Sequence, residues 1–432
     1  MLRRPHVVIL GGGFGGLNAA RALRHADLDV TLIDRTNHHL FQPLLYQVAT
    51  AALAPSDIAV PIRWILRHQK NVTVFLGDVV AVAVDARVVS LDQDHRSIAY
   101  DYLIVATGSR QSYFRHPAWE SIAPGLKTLE DAAHIRRQFL LAFEEAERSD
   151  DPTVRATLMT FVVAGGGPTG VELCGVLPDI ARNALYRDFR RIDTRQTRVI
   201  LIEGSSRVLG AFPEQLSAHA HHDLEQLGVE IRLNALVTNV TPDAVHIGEE
   251  CIPTRTVIWA AGNAASPIAK SLGVQLDSVG RVIVNADLSI NGHPEVFVIG
   301  DLAYLVENGR ELPGVAQVAM QGGRAVARNV ICTIRGQPRQ PFHYVNKGEL
   351  ATIGRNKAVA DIGPLKVGGR LAWWLWLFIH ITYLMGFRNR VSVLIQWAYA
   401  YFTYQRGVRL IIGTERRTRS PDSTSVDIAD AH

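Results

Sequence analysis

The stretch His6-Val7-Val8-Ile9-Leu10-Gly11-Gly12-Gly13-Phe14-Gly15-Gly16 decides the fold. His6 to Leu10 is a short, continuous apolar run of the kind buried in a parallel sheet. Leu17 to Leu28 then has helical composition, and Val30-Thr31-Leu32-Ile33-Asp34 reads as a second strand ending in an acid. Together they form a βαβ unit with Gly11-x-Gly13-x-x-Gly16 at its first turn. Glycine is required there for space: the turn is tight, the backbone must approach a pyrophosphate, and the helix must pack closely on its strand. The helix N-terminus offers unpaired N–H groups and a positive dipole end to phosphate. Asp34 falls about where an acid binds a ribose 2′-hydroxyl. An ordinary glycine turn is the bland reading, but the strand before and the strand-plus-acid after favour a dinucleotide site. The start Met1-Leu2-Arg3-Arg4 followed by Val7 to Leu10 briefly imitates a signal peptide. The glycines leave no room for its apolar core, so no cleavable export signal is expected.

The same grammar recurs downstream. After a charged stretch from Glu130 to Asp151, predicted to be helical, Thr160 to Ala164 reads as a strand and Gly165-Gly166-Gly167-Pro168-Thr169-Gly170 as its turn. Arg198 to Glu203 is again a strand that ends in an acid. The gap to Glu203 exceeds the usual ~20 residues, which predicts an extended helix from Val171 to Arg191. An acid repels a 2′-phosphate, so Glu203 predicts NADH over NADPH, with nearby Arg207 as a complication. Leu103 to Gly108, which ends Ala106-Thr107-Gly108, and Val257 to Gly262 are matching strands that close the two halves. Val296 to Asp301, with Gly300 before the acid, returns the chain to the first half. The expected fold class is therefore α/β: two Rossmann-like dinucleotide-binding domains, the second inserted in the first. The expected boundaries are 1–125, 126–275 and 276–341.

A third unit, 342–412, differs in character. Leu371 to Phe387 is nearly uniformly apolar, interrupted by His380 and Thr382, and is slightly short for a spanning helix of about 20 residues. From Val391 to Tyr404, Ser392, Gln396, Tyr399 and Thr403 mark one helical face, while Val391, Leu394, Ile395, Ala398, Tyr401 and Phe402 fill the other. That predicts a helix with one wet and one dry side. Trp373, Trp374, Trp376 and Trp397 favour a membrane interface, where amphipathic rings settle. Residues 413–432 have the composition of a disordered tail.

Composition narrows the classes. A chain of 432 residues predicts two or three domains. The net charge of +4 is only mildly basic, and no nucleic-acid partner is expected. Basic residues cluster toward the end, at Arg388, Arg390, Arg406, Arg409, Arg416, Arg417 and Arg419, beside apolar sequence, which suggests anionic lipid headgroups as readily as nucleic acid, with a solvated tail as the bland reading. The three cysteines, Cys174, Cys251 and Cys332, lie far apart, so neither a zinc site nor a redox dithiol can be read, and the histidines form no metal pattern. Two dinucleotide sites without a separate substrate domain pair most sensibly as a flavin and a nicotinamide, because a flavin accepts hydride and releases electrons singly or in pairs.

At this point the chain resembles the two-dinucleotide-binding-domain flavoproteins, and specifically the type II NADH dehydrogenases (NADH:quinone oxidoreductases). The resemblance rests on Gly11 to Gly16, Phe41-Gln42-Pro43-Leu44-Leu45-Tyr46-Gln47-Val48-Ala49, Ala106-Thr107-Gly108, Gly165 to Glu172, Gly300-Asp301, Ala316-Gln317-Val318-Ala319-Met320-Gln321, Tyr344 to Gly354 and Trp373 to Arg390. It implies that Gly11, Gly13, Phe14, Gly15, Gly16, Asp34, Gln42, Ala106, Thr107, Gly108, Gly300, Asp301 and Ala316 hold FAD. Gly165, Gly167, Thr169, Gly170, Glu203 and Gly262 would hold NADH as substrate. Glu172, Gln317 and Gln321 would be catalytic: Glu172 where nicotinamide meets flavin, the two glutamines near the isoalloxazine and the quinone. The resemblance further implies a membrane quinone as acceptor, no proton pumping, and a homodimer. The apolar C-terminal helices would seat the enzyme peripherally on the cytoplasmic face of the cell membrane.

Each role has a bland counterpart. Glu172 near the start of its helix would complement the dipole, Gln317 and Gln321 would be an ordinary polar helix face, and His380 a satisfied buried histidine. Lys347 and Tyr344 would tie the last domain to the first. Disulfide reductases and sulfide:quinone reductases share the domain plan but need paired cysteines. The remaining rivals are a soluble reductase that serves a small iron–sulfur protein, and a flavin- and NADH-binding sensor without turnover.

Overall fold

A computed structural model of the chain describes residues 3–92, 96–403 and 409–411. The tail expected at 413–432 lies outside them. The first apolar run forms strand His6–Leu10 at the centre of a six-stranded sheet. Its neighbours are Asp29–Asp34 and then Val72–Leu76 on one side, Tyr102–Val105 and then His293–Val298 on the other, all parallel. Ser289–Ile290 adds an antiparallel edge. His293–Val298 comes home beside Tyr102–Val105, with Val296 opposite Leu103, so the whole intervening unit is an insertion.

The insertion repeats the plan. Thr160–Ala164 lies between Arg198–Ile202 and Thr256–Trp259, with Val229–Arg232 outermost, all parallel. Each half also carries an antiparallel three-stranded meander, Val79–Ala83, Val88–Leu91 and Ser97–Ala99 in the first, Asn239–Val240, Ala244–Ile247 and Glu250–Pro253 in the second. Neither meander is legible in the sequence, because two to five residues of half-exposed strand give no lasting periodicity. The chain enters and leaves the insertion through Ser109–Gln111 and Asn263–Ala265, which pair antiparallel. Tyr113, Trp119 and Ala123 already pack in the core of the insertion, whereas Ile268, Ala269 and Leu272 pack in that of the first domain.

The charged helix runs Leu129–Arg148, started by a Thr128 side chain that accepts the Asp131 N–H. The extended helix expected from Val171 to Arg191 is shorter. It spans Pro168–Asp179 with Pro178 inside it, relaxes into a π turn at Ile180–Ala184, and gives way to a loop. Proline lacks the N–H the ladder needs there, and the extra residues before Glu203 are loop instead of helix.

After the first domain the chain forms a three-stranded antiparallel sheet, Glu349–Thr352, Ala358–Ile362 and Leu365–Gly368, also unforeseen. Helices Arg370–Tyr383 and Phe387–Thr403 follow. The first has 14 residues, about 21 Å at ~1.5 Å per residue against a hydrocarbon core of ~30 Å. No helix among the described residues is long and apolar enough to cross a membrane.

Candidate active site

Backbone contact closes the first glycine turn. A Cβ on Gly16 would lie 1.8 Å from the Gly11 carbonyl oxygen, and one on Gly11, at φ +99°, 2.5 Å from that of Ala106. Asp34 braces the turn from the strand side: Oδ2 accepts the Gly12 N–H at 2.5 Å, and Oδ1 accepts the Thr36 N–H and hydroxyl at 2.7 Å. Helix Ala316–Ile334 crosses helix Phe14–Ala22 at backbone distance, since a Cβ on Gly323 would meet the Gly15 carbonyl oxygen at 2.3 Å. That crossing, with Gly300 against Ala319, brings Ala316 and Asp301 to the same end of the sheet.

What remains open is a cradle. No protein atom lies within 4 Å of the place a Cβ would take on Gly13 or Gly108. Thr107 Oγ1 and His39 Nε2 are buried without a hydrogen-bond partner, each worth about 1–3 kcal/mol if left unmet. Burial pushes the His39 pKa down, and its Nδ1–H donates to the Gly12 carbonyl at 3.1 Å, which leaves Nε2 a bare acceptor. Open glycines, a helix N-terminus and orphaned polar atoms fit the sugar and phosphates of FAD. Gln42 is exposed at the start of a short 3-10 turn, Gln42–Leu44.

The second cradle matches the first. A Cβ on Gly170 would lie 1.9 Å from the Gly165 carbonyl oxygen, and Gly167 faces open space. Glu203 takes the part of Asp34, with Oε2 accepting the Gly166 N–H at 2.6 Å and Oε1 the Ser205 N–H and hydroxyl. Burial would raise its pKa, but the bonds from Ser205 and Gly166 outweigh it and hold the carboxylate below its ordinary range. Arg207 turns away and donates to the Gly210 carbonyl, so it does not offset the charge of Glu203.

Between the cradles, the Ser109 hydroxyl donates to Asp301 Oδ2 at 2.9 Å and receives the Lys127 ammonium at 3.5 Å. Burial pushes the Lys127 pKa down and Asp301 partly restores it. Neither Ser109 nor Lys127 was foreseen, as a single lysine in a Gly-Leu-Lys-Thr stretch carries no motif. Glu172 is buried in helix Pro168–Asp179, facing strand Glu349–Thr352 of the last domain. Burial pushes its carboxyl well above the usual range against a backbone hydrogen bond from Thr352. Glu172 lies beyond the first turn of that helix, where a carboxylate would best complement the dipole.

Gln317 and Gln321 do share a face, but both amides are occupied. Gln317 donates to the Gly348 carbonyl and accepts the Lys347 N–H; Gln321 donates to the Val345 carbonyl and accepts the Val345 N–H. They staple residues 345–348 onto the first domain. Lys347 reaches the Tyr383 hydroxyl at 3.5 Å, and the Tyr344 N–H donates to Glu307.

An aromatic column leads out of the first cradle. Phe14 meets Phe41 edge-on at 6.0 Å, Phe41 meets His380 at 6.2 Å, His380 stacks on Trp376 at 4.4 Å, and Trp376 lies 5.4 Å from Trp397. The last three rings belong to the C-terminal helices, whose wet and dry sides are inverted relative to a soluble protein. Ser392 and Gln396 face inward and donate to Asp57 at 2.9 Å each, and Asn389 donates to the Ser56 carbonyl. The apolar side faces out: Phe378, Phe387 and Phe402 are 70%, 82% and 80% exposed. Tyr399 and Thr403, expected with the polar face, are exposed as well.

Among the described residues no group of histidine, cysteine or acidic side chains could hold a metal ion, and all three cysteines are free. The pyridine nucleotide-disulphide oxidoreductase family matches residues 5–323, and the NDH2 C-terminal domain family matches residues 346–404. The type II NADH:quinone oxidoreductase NdhA of Mycobacterium tuberculosis is 46% identical over 420 residues, which span 94% of this chain and 88% of the relative. The related Ndh of that organism is 45% identical over 94% of this chain and 90% of its own length. Among solved structures, NDH2 of Plasmodium falciparum in complex with NADH superposes with a TM-score of 0.86 at 20% identity, covering 95% of this chain and all of the other. The sulfide:quinone oxidoreductase of Aquifex aeolicus follows the same fold at 0.73, covering 89% of this chain and 92% of its own.

Proposed function

Because the chain belongs to the type II NADH:quinone oxidoreductases, we propose that its two cradles and outward apolar helices divide that family's reaction among the residues described above. The enzyme oxidises NADH with FAD as cofactor and passes two electrons to a quinone. FAD, when bound, supplies the redox chemistry. The protein's own part is to bind, orient and exclude water.

Gly11, Gly13, Gly16, Ala106, Thr107 and Gly108 hold the FAD phosphates and sugar, with Asp34 fixing the turn and Asp301, braced by Ser109 and Lys127, at the far end. Phe14, Gly15, Gln42, Gly300, Ala316 and Gln317 complete that site. Gly165, Gly167, Thr169, Gly170 and Gly262 hold NADH, and Glu203 selects it over NADPH. Glu172 stands buried at the junction of the second fingerprint helix and the last domain, where burial raises its pKa. Gln317 and Gln321 act by position, setting the backbone of 345–348.

The observation that carries this reading is the aromatic column from Phe14 to Trp397, which packs the first cradle against the helices that bear the outward apolar face, where a lipid-soluble acceptor would arrive. A reductase serving a soluble iron–sulfur protein has no use for it. We divide the chain at the antiparallel pair Ser109–Gln111 and Asn263–Ala265, which supports joints near residues 112 and 266, both earlier in the chain than 125 and 275. The basic residues beside the apolar helices, Arg388 and Arg390, suit the anionic cytoplasmic leaflet. A homodimer completes the proposal.

The test is NADH oxidation by detergent-purified protein with a short-chain quinone, alongside the flavin absorbance. Anaerobic bleaching by NADH and recovery on quinone are expected. A flavin that bleaches and is not reoxidised by quinone sinks the reading.

A further inference from the structure

The two halves are copies in outline and differ at one matched position. Gly108 and Gly262 each follow the strand beside their fingerprint turn, at φ +65° and +74°. The place a Cβ would take on Gly108 is open. On Gly262 it is filled by the Phe114 ring, with Cζ 2.5 Å and Cε2 2.8 Å away. The strand end leading to Gly262 borders the second fingerprint, since a Cβ on Gly165 would meet Ala260 and Ala261 at 2.7 Å. Phe114 therefore stands at the edge of the second cradle.

Three features separate this ring from ordinary packing. It is 58% exposed, although the buried rings of Tyr113, Trp119 and Trp259 gather beside it. Phe114 and Arg115 stand at φ +45° and +76°, consecutive side-chain-bearing residues in left-handed backbone that neighbours must enforce. The His116 N–H closes the turn on the Tyr113 carbonyl at 2.8 Å, and further bonds tie the loop to the Gly262 strand end: Gln111 Nε2 donates to the Ala261 and Gly262 carbonyls at 2.6 and 2.8 Å, and Trp259 Nε1 to the Ser112 carbonyl at 2.8 Å. The strand order then says which part of a dinucleotide passes there. Glu203 follows the strand on one side of Thr160–Ala164 and Gly262 the strand on the other. With adenosine toward Glu203, the nicotinamide half lies toward Gly262, the side that the hairpin joins to the first domain.

We infer that Phe114 is a positioning residue for NADH, its ring packing against the nicotinamide-ribose half beside Gly262 and directing it toward the first cradle. The inference rests on the second fingerprint being the NADH site. Two measurements on purified flavin-containing protein test it: the KM for NADH, and quenching of tryptophan fluorescence by NAD⁺, which binds without turnover. Losing an aromatic contact predicts about three- to tenfold weaker binding and a matching rise in KM for F114A. The KM for quinone and the flavin content stay as they are. F114W restores affinity, and F114L, which keeps the bulk without the ring face, shows the loss should alanine unsettle the loop. R115G relieves the left-handed backbone and raises the melting temperature with KM intact. Unchanged NAD⁺ affinity in F114A and F114L, with only a lower melting temperature, reduces the ring to packing and overturns the inference. G167V separates that result from a failure of its premise: if G167V also leaves NAD⁺ binding intact, the second fingerprint is not the NADH site.

Discussion

Replacing His380 by phenylalanine removes one titration from the base of the membrane-facing helices, and the effect can be worked out. His380 is largely buried, stacked on Trp376 and edge-on to Phe41, and its Nδ1–H donates to the Trp376 carbonyl at 2.7 Å. Burial lowers its pKa to about 4 from an ordinary 6.5, with that hydrogen bond opposing, and no charged neighbour contributes. The folded pKa is depressed, so the stability at stake is fully present above about pH 6.5 and is lost as pH falls toward 4. At one pKa unit per ~1.36 kcal/mol the total is about 3 kcal/mol, of which roughly 2 kcal/mol is gone by pH 5. The phenylalanine variant keeps the ring contacts and lacks the titration. Urea unfolding of the detergent-solubilised proteins, followed by tryptophan fluorescence from pH 7.5 to 5, reads the difference. The wild type should lose about 2 kcal/mol relative to H380F across that range. A difference that stays flat with pH would show that the imidazole keeps its ordinary pKa in the folded protein, and the argument from burial would be refuted.

Three further outcomes are expected. Gly16→Ala places a methyl 1.8 Å from the Gly11 carbonyl oxygen, so the protein should purify with little flavin and a lower melting temperature; normal flavin content would contradict the closed-turn geometry. Asp57→Ala removes the acceptor shared by Ser392, Gln396 and the Ala54 N–H, which should cost about 2–4 kcal/mol and make the last helix protease-sensitive while the nucleotide domains stay folded. Phe378→Asp with Phe402→Asp charges the outward apolar face, where each ring buried in lipid is worth about 1.5–3 kcal/mol. Binding to anionic vesicles should fall at least tenfold while NADH still bleaches the flavin, and undiminished binding would place the membrane contact elsewhere.

The parts legible in the sequence are those in which cause and effect lie close along the chain. Gly11 and Gly16 touch each other through their own turn, and Asp34 and Glu203 bond the glycine turn their strands accompany, so residue type and spacing alone determined both cradles and the insertion. The outward apolar helices were legible too, but which side faced the protein was not. Amphipathic spacing defines two faces and does not say which solvent each meets; Asp57, more than three hundred residues earlier, turned the polar face inward. Tertiary structure likewise decided that Gln317 and Gln321 would spend their amides on the 345–348 backbone, that Thr352 would bury Glu172, that Lys127 would reach Ser109, and that Phe114 would cover one of two equivalent glycines. Each depends on two segments whose separation in sequence carries no signal, and whose meeting is set by how the sheets, helices and hairpin pack.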